Sequence, residues 1–210
     1  VRSGQDYPLA IFRDELFTSL ARETGDNILV QQDKHCILYI NGKYWGIYCL
    51  KEAFCETMVS THYGVSQESV EIVQAPVDNE QGTEILRLIG YAWDADMNDE
   101  EAWEYLSGQV DVDSLIDWMI MQAYSTNTDT QQNLRYFKSS ANGDKWQFAY
   151  YDIDWGWYYN AQFSHVLSPN YHWQHMGLTK NFMENKEFRQ RFLARLSELL
   201  DTVLSDENVL

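Results

Sequence analysis

Apolar residues recur along this chain with two periods, and the periods sort it into helices and strands. Leu9, Phe12, Leu16 and Leu20 mark one face of a helix, with Asp6 to cap it, Pro8 in its first turn and Gly25 at its end. Two strands follow, one within 27–40 and one over 44–50. Asn41-Gly42 between these apolar runs predicts a tight hairpin turn. A short helix over 53–63 stops at Gly64, and a strand over 70–73 leads into a loop at Pro76. Two helices are expected between 83 and 106. The second carries Asn98 with Glu101 three residues on, the pattern of a capping box. The clearest helix covers 112–124, where Val112, Leu115, Ile116, Met119, Ile120 and Ala123 form two adjoining ridges. A helix apolar over that much of its surface belongs in a core.

The polar run NTDTQQN, 127–133, breaks that helix. A second hairpin follows, 134–138 and 145–151 about Asn142-Gly143, and runs into Asp152-Ile153-Asp154-Trp155-Gly156. An aromatic, His-bearing stretch extends to His175. Phe188, Phe192, Leu196, Leu199 and Val203 then line one face of a last helix. There is no internal repeat, and the fold class is α+β.

Composition narrows the function. The 210 residues include 15 Lys and Arg against 32 Asp and Glu, a net charge of −17. Such a chain repels nucleic-acid phosphates and attracts Lys- and Arg-rich partners. No apolar run approaches the roughly 20 residues that span a bilayer, so no membrane insertion is expected. Cys36, Cys49 and Cys55 form no disulfide framework or CxxC metal pattern and read as three free buried thiols. Asp94, Asp96 and Asn98 imitate the start of a calcium loop, but Asp99 stands where that loop needs Gly. His165, His172 and His175 lack the further ligand that a zinc site requires.

Two residue pairs carry the candidate chemistry. Asp152 and Asp154 sit at i and i+2 where a strand ends, about 6.5 Å apart at the rise of a strand. Acids that close repel unless a cation or proton lies between them, and a hard ion such as magnesium takes one or two carboxylates plus phosphate oxygens. Solvated acids on a loop explain the same pair equally well. Asp129 and Asn133 follow the core helix and precede a hairpin, on a loop held at both ends. An Asp that accepts a hydroxyl proton, followed by an amide that holds a metal, echoes a kinase catalytic loop. An Asx-rich turn ending a helix accounts for those residues as readily.

The order of elements suits a protein-kinase fold entered after its first three strands, with the connector Lys51-Glu52-Ala53 as the hinge between lobes. At these residues the sequence resembles the spore-coat CotH kinase family. The matching pieces are RSGQDY, FRDEL at 12–16, INGKYWGIY at 40–48 with Glu52, NTDTQQN, and YDIDWG at 151–156. The resemblance implies an atypical protein-kinase-like two-lobe fold, with 1–52 a small-lobe remnant and 53–210 a mainly helical large lobe. It implies ATP and magnesium, or another divalent cation, and phosphate transfer to Ser of a secreted or surface protein. It implies a bacterial cell-surface or spore-coat setting. Carried onto these positions, Asp129 is the catalytic Asp and Asp152 the principal metal ligand. Asn133 and Asp154 are supporting ligands, and Trp146, Lys51 and Glu52 contact the nucleotide. The net charge of −17 fits a basic, Ser-containing protein substrate.

CotH-family chains carry an Arg-Gly-Asn-Ser stretch and a Lys-Pro strand before the RSGQD-like segment. This chain starts after both, so the first strands of the small lobe are expected to be missing and the fragment to transfer phosphate weakly. A rival from another class is a non-catalytic surface module that binds protein or carbohydrate. It would use Trp155, Trp157, Tyr158, Tyr159, Phe163, Tyr171 and Trp173 as exposed rings.

Overall fold

The computed structural model describes residues 12–74, 83–127, 129–157, 162 and 176–209. Its first helix, α1 (Arg13–Glu23), carries Asp14 and Glu15 in the first turn, where acids favour the helix dipole. The expected cap and first turn at Asp6 and Pro8 lie outside the described residues. Phe12 stands at the cap position, exposed, rather than in the buried stripe. Leu20 is buried as the stripe predicts, with Phe17 and Ala21 beside it.

The strand expected within 27–40 divides in two. β1 (Leu29–Val30) is buried on both faces and joins the main sheet, whereas β2 (Asp33–Ile40) pairs only with β3 (Lys43–Lys51). The chemistry changes between them. Leu29-Val30 is a continuous apolar pair suited to a sheet interior, and Asp33, Lys34 and His35 are not. Asn41 and Gly42 both take positive φ, 50° and 77°, the geometry of a two-residue hairpin turn that the Asn-Gly pair predicts. A register shift interrupts the β2–β3 ladder between Leu38 and Tyr39.

Next come α2 (Glu56–Tyr63), β4 (Glu71–Gln74), α3 (Thr83–Asp94) and α4 (Glu100–Gln109). α2 starts later than the sequence suggested, with Cys55 at its cap position. The cap of α4 is Asp99, whose carboxylate accepts from Ala102 N–H at 2.9 Å. The predicted cap, Asn98, has its own N–H taken by Asp96 Oδ1 at 2.9 Å, and that local turn moves the helix start along by one. α5 (Val112–Ser125) is capped by Asp111 and buries every residue except Asp113 and Tyr124. α6 (Thr130–Asn133), β5 (Arg135–Lys138), β6 (Gln147–Tyr150), α7 (Met176–Thr179), α8 (Lys186–Asp201) and α9 (Asp206–Val209) complete the chain.

The main sheet runs β1-β6-β5-β4, parallel between β1 and β6 and antiparallel elsewhere. α5 covers it. Ser114 Oγ accepts from Phe148 N–H at 2.9 Å, Tyr150 donates to the Met121 carbonyl at 3.2 Å, and the Trp118 and Phe148 rings meet at 5.4 Å. α8 is fixed to α5 by an ion pair in which Arg195 Nε and Nη2 reach the two Asp117 oxygens at 2.8 and 2.9 Å. Asn27 Nδ2 donates to the same carboxylate at 2.9 Å. The fold is α+β. α1 contributes Phe17, Leu20 and Ala21 to the core that α5 centres, and is tied to β2 through Arg22 and Asp33 at 3.0 Å.

Only Cys49 of the three thiols is buried. Cys36 and Cys55 are half-buried, because a two-stranded hairpin and a helix cap leave them partly uncovered. Among the described residues no helix is long and apolar enough to cross a membrane.

Candidate active site

The loop after α5 is shaped by a reversal at Thr126, whose φ of +49° is one that a β-branched residue holds only when its surroundings impose it. Thr126 N–H donates to the Ala123 carbonyl and Asn127 N–H to that of Gln122. Asn127 Oδ1 then accepts from Asp129 N–H at 3.1 Å, and Asn133 Nδ2 donates to Asp129 Oδ2 at 3.0 Å. The predicted Asp129–Asn133 pair is therefore in direct contact, with both residues half-buried.

The second loop leaves the same end of the sheet. β5 pairs antiparallel with β6 so that Arg135 faces Ala149. Continued outward by two residues, that register sets Asn133 across from Tyr151, immediately before Asp152. The far end of this loop returns to α5. Trp157 N–H donates to the Ser125 carbonyl at 2.6 Å and its indole N–H to that of Tyr124 at 2.9 Å. The Asp129 loop begins two residues beyond Ser125, so both loops are anchored at the C-terminal end of α5 and the open end of the β5–β6 pair.

Asp152 and Asp154 do not sit as neighbours on one strand face. β6 stops at Tyr150, Asp152 takes φ +59°, and Asp154 is buried at 6% exposure in the turn that follows. The i, i+2 argument fails because the strand ends before it reaches them.

The other predicted contacts are placed away from these loops or are engaged by protein. Trp146 is fully buried before the start of β6, the opposite end from Asp152, with Lys138 Nζ 4.9 Å from its ring centroid. Its ring serves the core. Lys51 Nζ is held by Asp14 Oδ2, with Glu15 Oε1 at 3.7 Å. Glu52 Oε2 accepts from Gln32 N–H at 2.8 Å and meets His62 Nε2 at 2.9 Å. Of the seven aromatic residues behind the binding-module reading, Tyr158, Tyr159, Phe163, Tyr171 and Trp173 lie outside the described residues, as do the three histidines. Trp155 is half-buried, and Trp157 packs edge-on against Phe17 at 4.9 Å yet stays 46% exposed, as that reading expects.

Two residues passed over in the sequence stand at this end of the sheet. Arg135 is buried, with its guanidinium 4.6 Å from the Tyr151 ring centroid. Burial lowers its pKa, opposed by the hydrogen bond to Tyr151 and the charge of Asp152. Asp14 is buried at the start of α1 and accepts from Ile153 N–H at 3.0 Å, between Asp152 and Asp154. Arg135 stands directly after Asn133-Leu134, which could have marked it. Asp14 lies in the FRDEL piece at 12–16, but nothing local marks it out from the other acids as a site residue.

A protein-family profile described as CotH kinase protein matches residues 3–210. The chain belongs to the CotH kinase family. No curated protein matches it. Membership brings with it, in general terms, a kinase-like activity with ATP and a divalent cation. The oxygen donors of Asn133 and Asp152 suit such an ion: a carboxylate and an amide are hard ligands, and a magnesium ion held by them would take its remaining ligands from phosphate and water. Among the described residues no three His, Cys, Asp or Glu form a ready-made cage. An ion shared with a nucleotide needs none.

Proposed function

We propose that the paired loops at 127–133 and 151–157 form a phosphoryl-transfer site that moves the γ-phosphate of ATP to Ser of a basic protein. The observation that carries this reading is the joint anchoring of the Asp129–Asn133 pair and Asp152 at one end of the β5–β6 pair, in a chain of the CotH kinase family. On this reading the chain has a small lobe over 1–52 and a large lobe over 53–210, with the nucleotide between them. Its setting is the spore coat or the cell surface.

Each side chain has a role that its surroundings support. Asp129 Oδ2 is held by Asn133, which leaves the carboxylate oriented to accept a hydrogen bond from the acceptor Ser hydroxyl. The Ser oxygen forms a bond to the γ-phosphorus as the bond to the β,γ-bridging oxygen breaks. The hydroxyl proton passes to Asp129, and ADP leaves with the bridging oxygen. Asp152 would hold the divalent ion, with Asn133 beside it, and such an ion would supply positive charge where negative charge develops on the transferred phosphate. The −17 net charge steers a Lys- and Arg-rich substrate toward the molecule.

The test has two stages. Calorimetric titration with ATP, with and without manganese, is expected to show metal-dependent binding that Asp152→Asn weakens at least about tenfold, the scale of a lost charged ligand. Transfer of labelled phosphate to a basic Ser peptide should fall by about 10²- to 10⁴-fold in Asp129→Asn, the usual contribution of a general base. Metal–ATP binding in that variant should change little. Absence of metal-dependent ATP binding would end the reading. Unchanged transfer by Asp129→Asn would show that the base is another residue.

A further inference from the structure

Asp14 is 4% exposed, and its two oxygens hold different parts of the molecule. Oδ1 accepts from the backbone N–H of Ile153 at 3.0 Å. Oδ2 accepts from Lys51 Nζ at the end of β3, and the Lys51 side chain is itself only 7% exposed. A buried ion pair is a poor way to add stability, because apolar side chains of the same size do as well without desolvating two charges. The pair is better understood by what it holds.

Ile153 N–H belongs to the peptide that follows Asp152. A hydrogen bond to it fixes the plane of that peptide, and the plane sets the direction in which Asp152 leaves the chain. Asp152 needs that help. Its φ of +59° is sparsely populated for a residue with a side chain and persists when surrounding contacts over-determine it. α1 also grips the other end of the same turn. A Cβ on Gly156 would stand 2.3 Å from Phe17 Cε2, so only Gly permits this approach, and Phe17 packs against Trp157. Asp14 and Phe17 are three apart and lie on one face of the helix.

We infer that Asp14 is a positioning residue: with its second oxygen held by Lys51, it fixes the Asp152–Ile153 peptide and so aims Asp152 at the phosphate-bound metal. Lys51 balances the buried charge of Asp14, and the hydrogen bond to Ile153 sets the aim. The inference rests on the reading of Asp152 as the metal ligand.

Two double variants separate positioning from mere stability. Asp14→Asn with Lys51→Met removes both buried charges but keeps an oxygen acceptor for Ile153. Asp14→Ala with Lys51→Met removes the charges and the acceptor. Manganese–ATP affinity, measured by calorimetry well below each melting temperature, should stay within about threefold of the unsubstituted chain in the first. It should fall at least about tenfold in the second, the effect of one hydrogen bond to a charged acceptor. ATP binding without metal should be the same in all three. Equal manganese–ATP affinity in the two double variants, with Asp152→Asn still impaired, would overturn the positioning role and leave the kinase reading standing. Loss of no affinity in Asp152→Asn would overturn both. Hydrogen exchange of the Ile153 amide in the unsubstituted chain tests the anchor without any substitution. Slow exchange is expected, and exchange at the rate of an open loop would refute it.

Discussion

Helix α5 and the β2–β3 hairpin are both rich in apolar residues and use them in opposite ways. α5 buries Leu115, Ile116, Trp118, Met119, Ile120 and Met121 to 2% exposure or less. On the hairpin Ile37, Tyr39, Tyr44, Trp45, Ile47 and Leu50 are each more than half exposed. The helix is ordered by what covers it. The hairpin is ordered by its turn, its ladder and cross-strand pairs such as Tyr39 with Tyr44, whose ring centroids are 5.9 Å apart. An apolar residue therefore adds much to the fold in one region and little in the other. The candidate site is built on the covered region, where α5 and β5–β6 hold both loops.

Breaking the covered region should have the largest effect. Asp117 is fully buried, and Asp117→Ala takes its two-oxygen partner from the Arg195 guanidinium, itself one-fifth exposed. Urea denaturation is expected to show a loss of about 3 kcal/mol, the lower end for a broken buried pair, since Glu198 at 3.0 Å remains for Arg195. A loss below ~1 kcal/mol would mean that α8 is not fixed to α5 in the way described.

Cys49 lies where the two regions meet. Burial, aided by a hydrogen bond to Glu15, pushes its thiol up to about 11 from an ordinary 9.0. Folding then favours the neutral thiol. That contribution is complete below pH 9 and is lost as pH rises toward 11. The unsubstituted chain should lose about 2 kcal/mol more than Cys49→Ala between those pH values. If the hairpin opens independently of the body, the two pH profiles will coincide in the global transition while Cys49 alkylates without it.

The smallest change is expected on the open hairpin face. Ile47→Lys, at a side chain 68% exposed, should alter stability by no more than about 0.5 kcal/mol. A loss above ~2 kcal/mol would show that Ile47 is packed and that the contrast between the regions is false.

Features decided within a few residues were legible in the sequence. The double ridge of α5 and the Asn41-Gly42 turn needed only local periodicity and one dipeptide. The start of α4 was misplaced by one residue because two candidate caps, Asn98 and Asp99, compete and the Asp96 side chain decides between them. Features decided at long range were not legible. Nothing in Leu29-Val30 names β6 as its partner, and nothing in Trp146 tells a core ring from one that stacks on a base. The pair Asp129–Asn133 was readable because its four-residue spacing is the spacing of its contact. Asp14 was not, because its partners Lys51 and Ile153 come from other elements.

The bond from Ile153 to Asp14 joins positions 139 residues apart. At the roughly 5–20 residues per second of ribosomal synthesis, that separation is a wait of about 7–28 s. For all of that time α1 has been made while the turn it grips has not. Phe17, Leu20 and Ala21 are therefore made well before the turn that completes their packing, and α1 can settle in its final place only once the last third of the chain has been made.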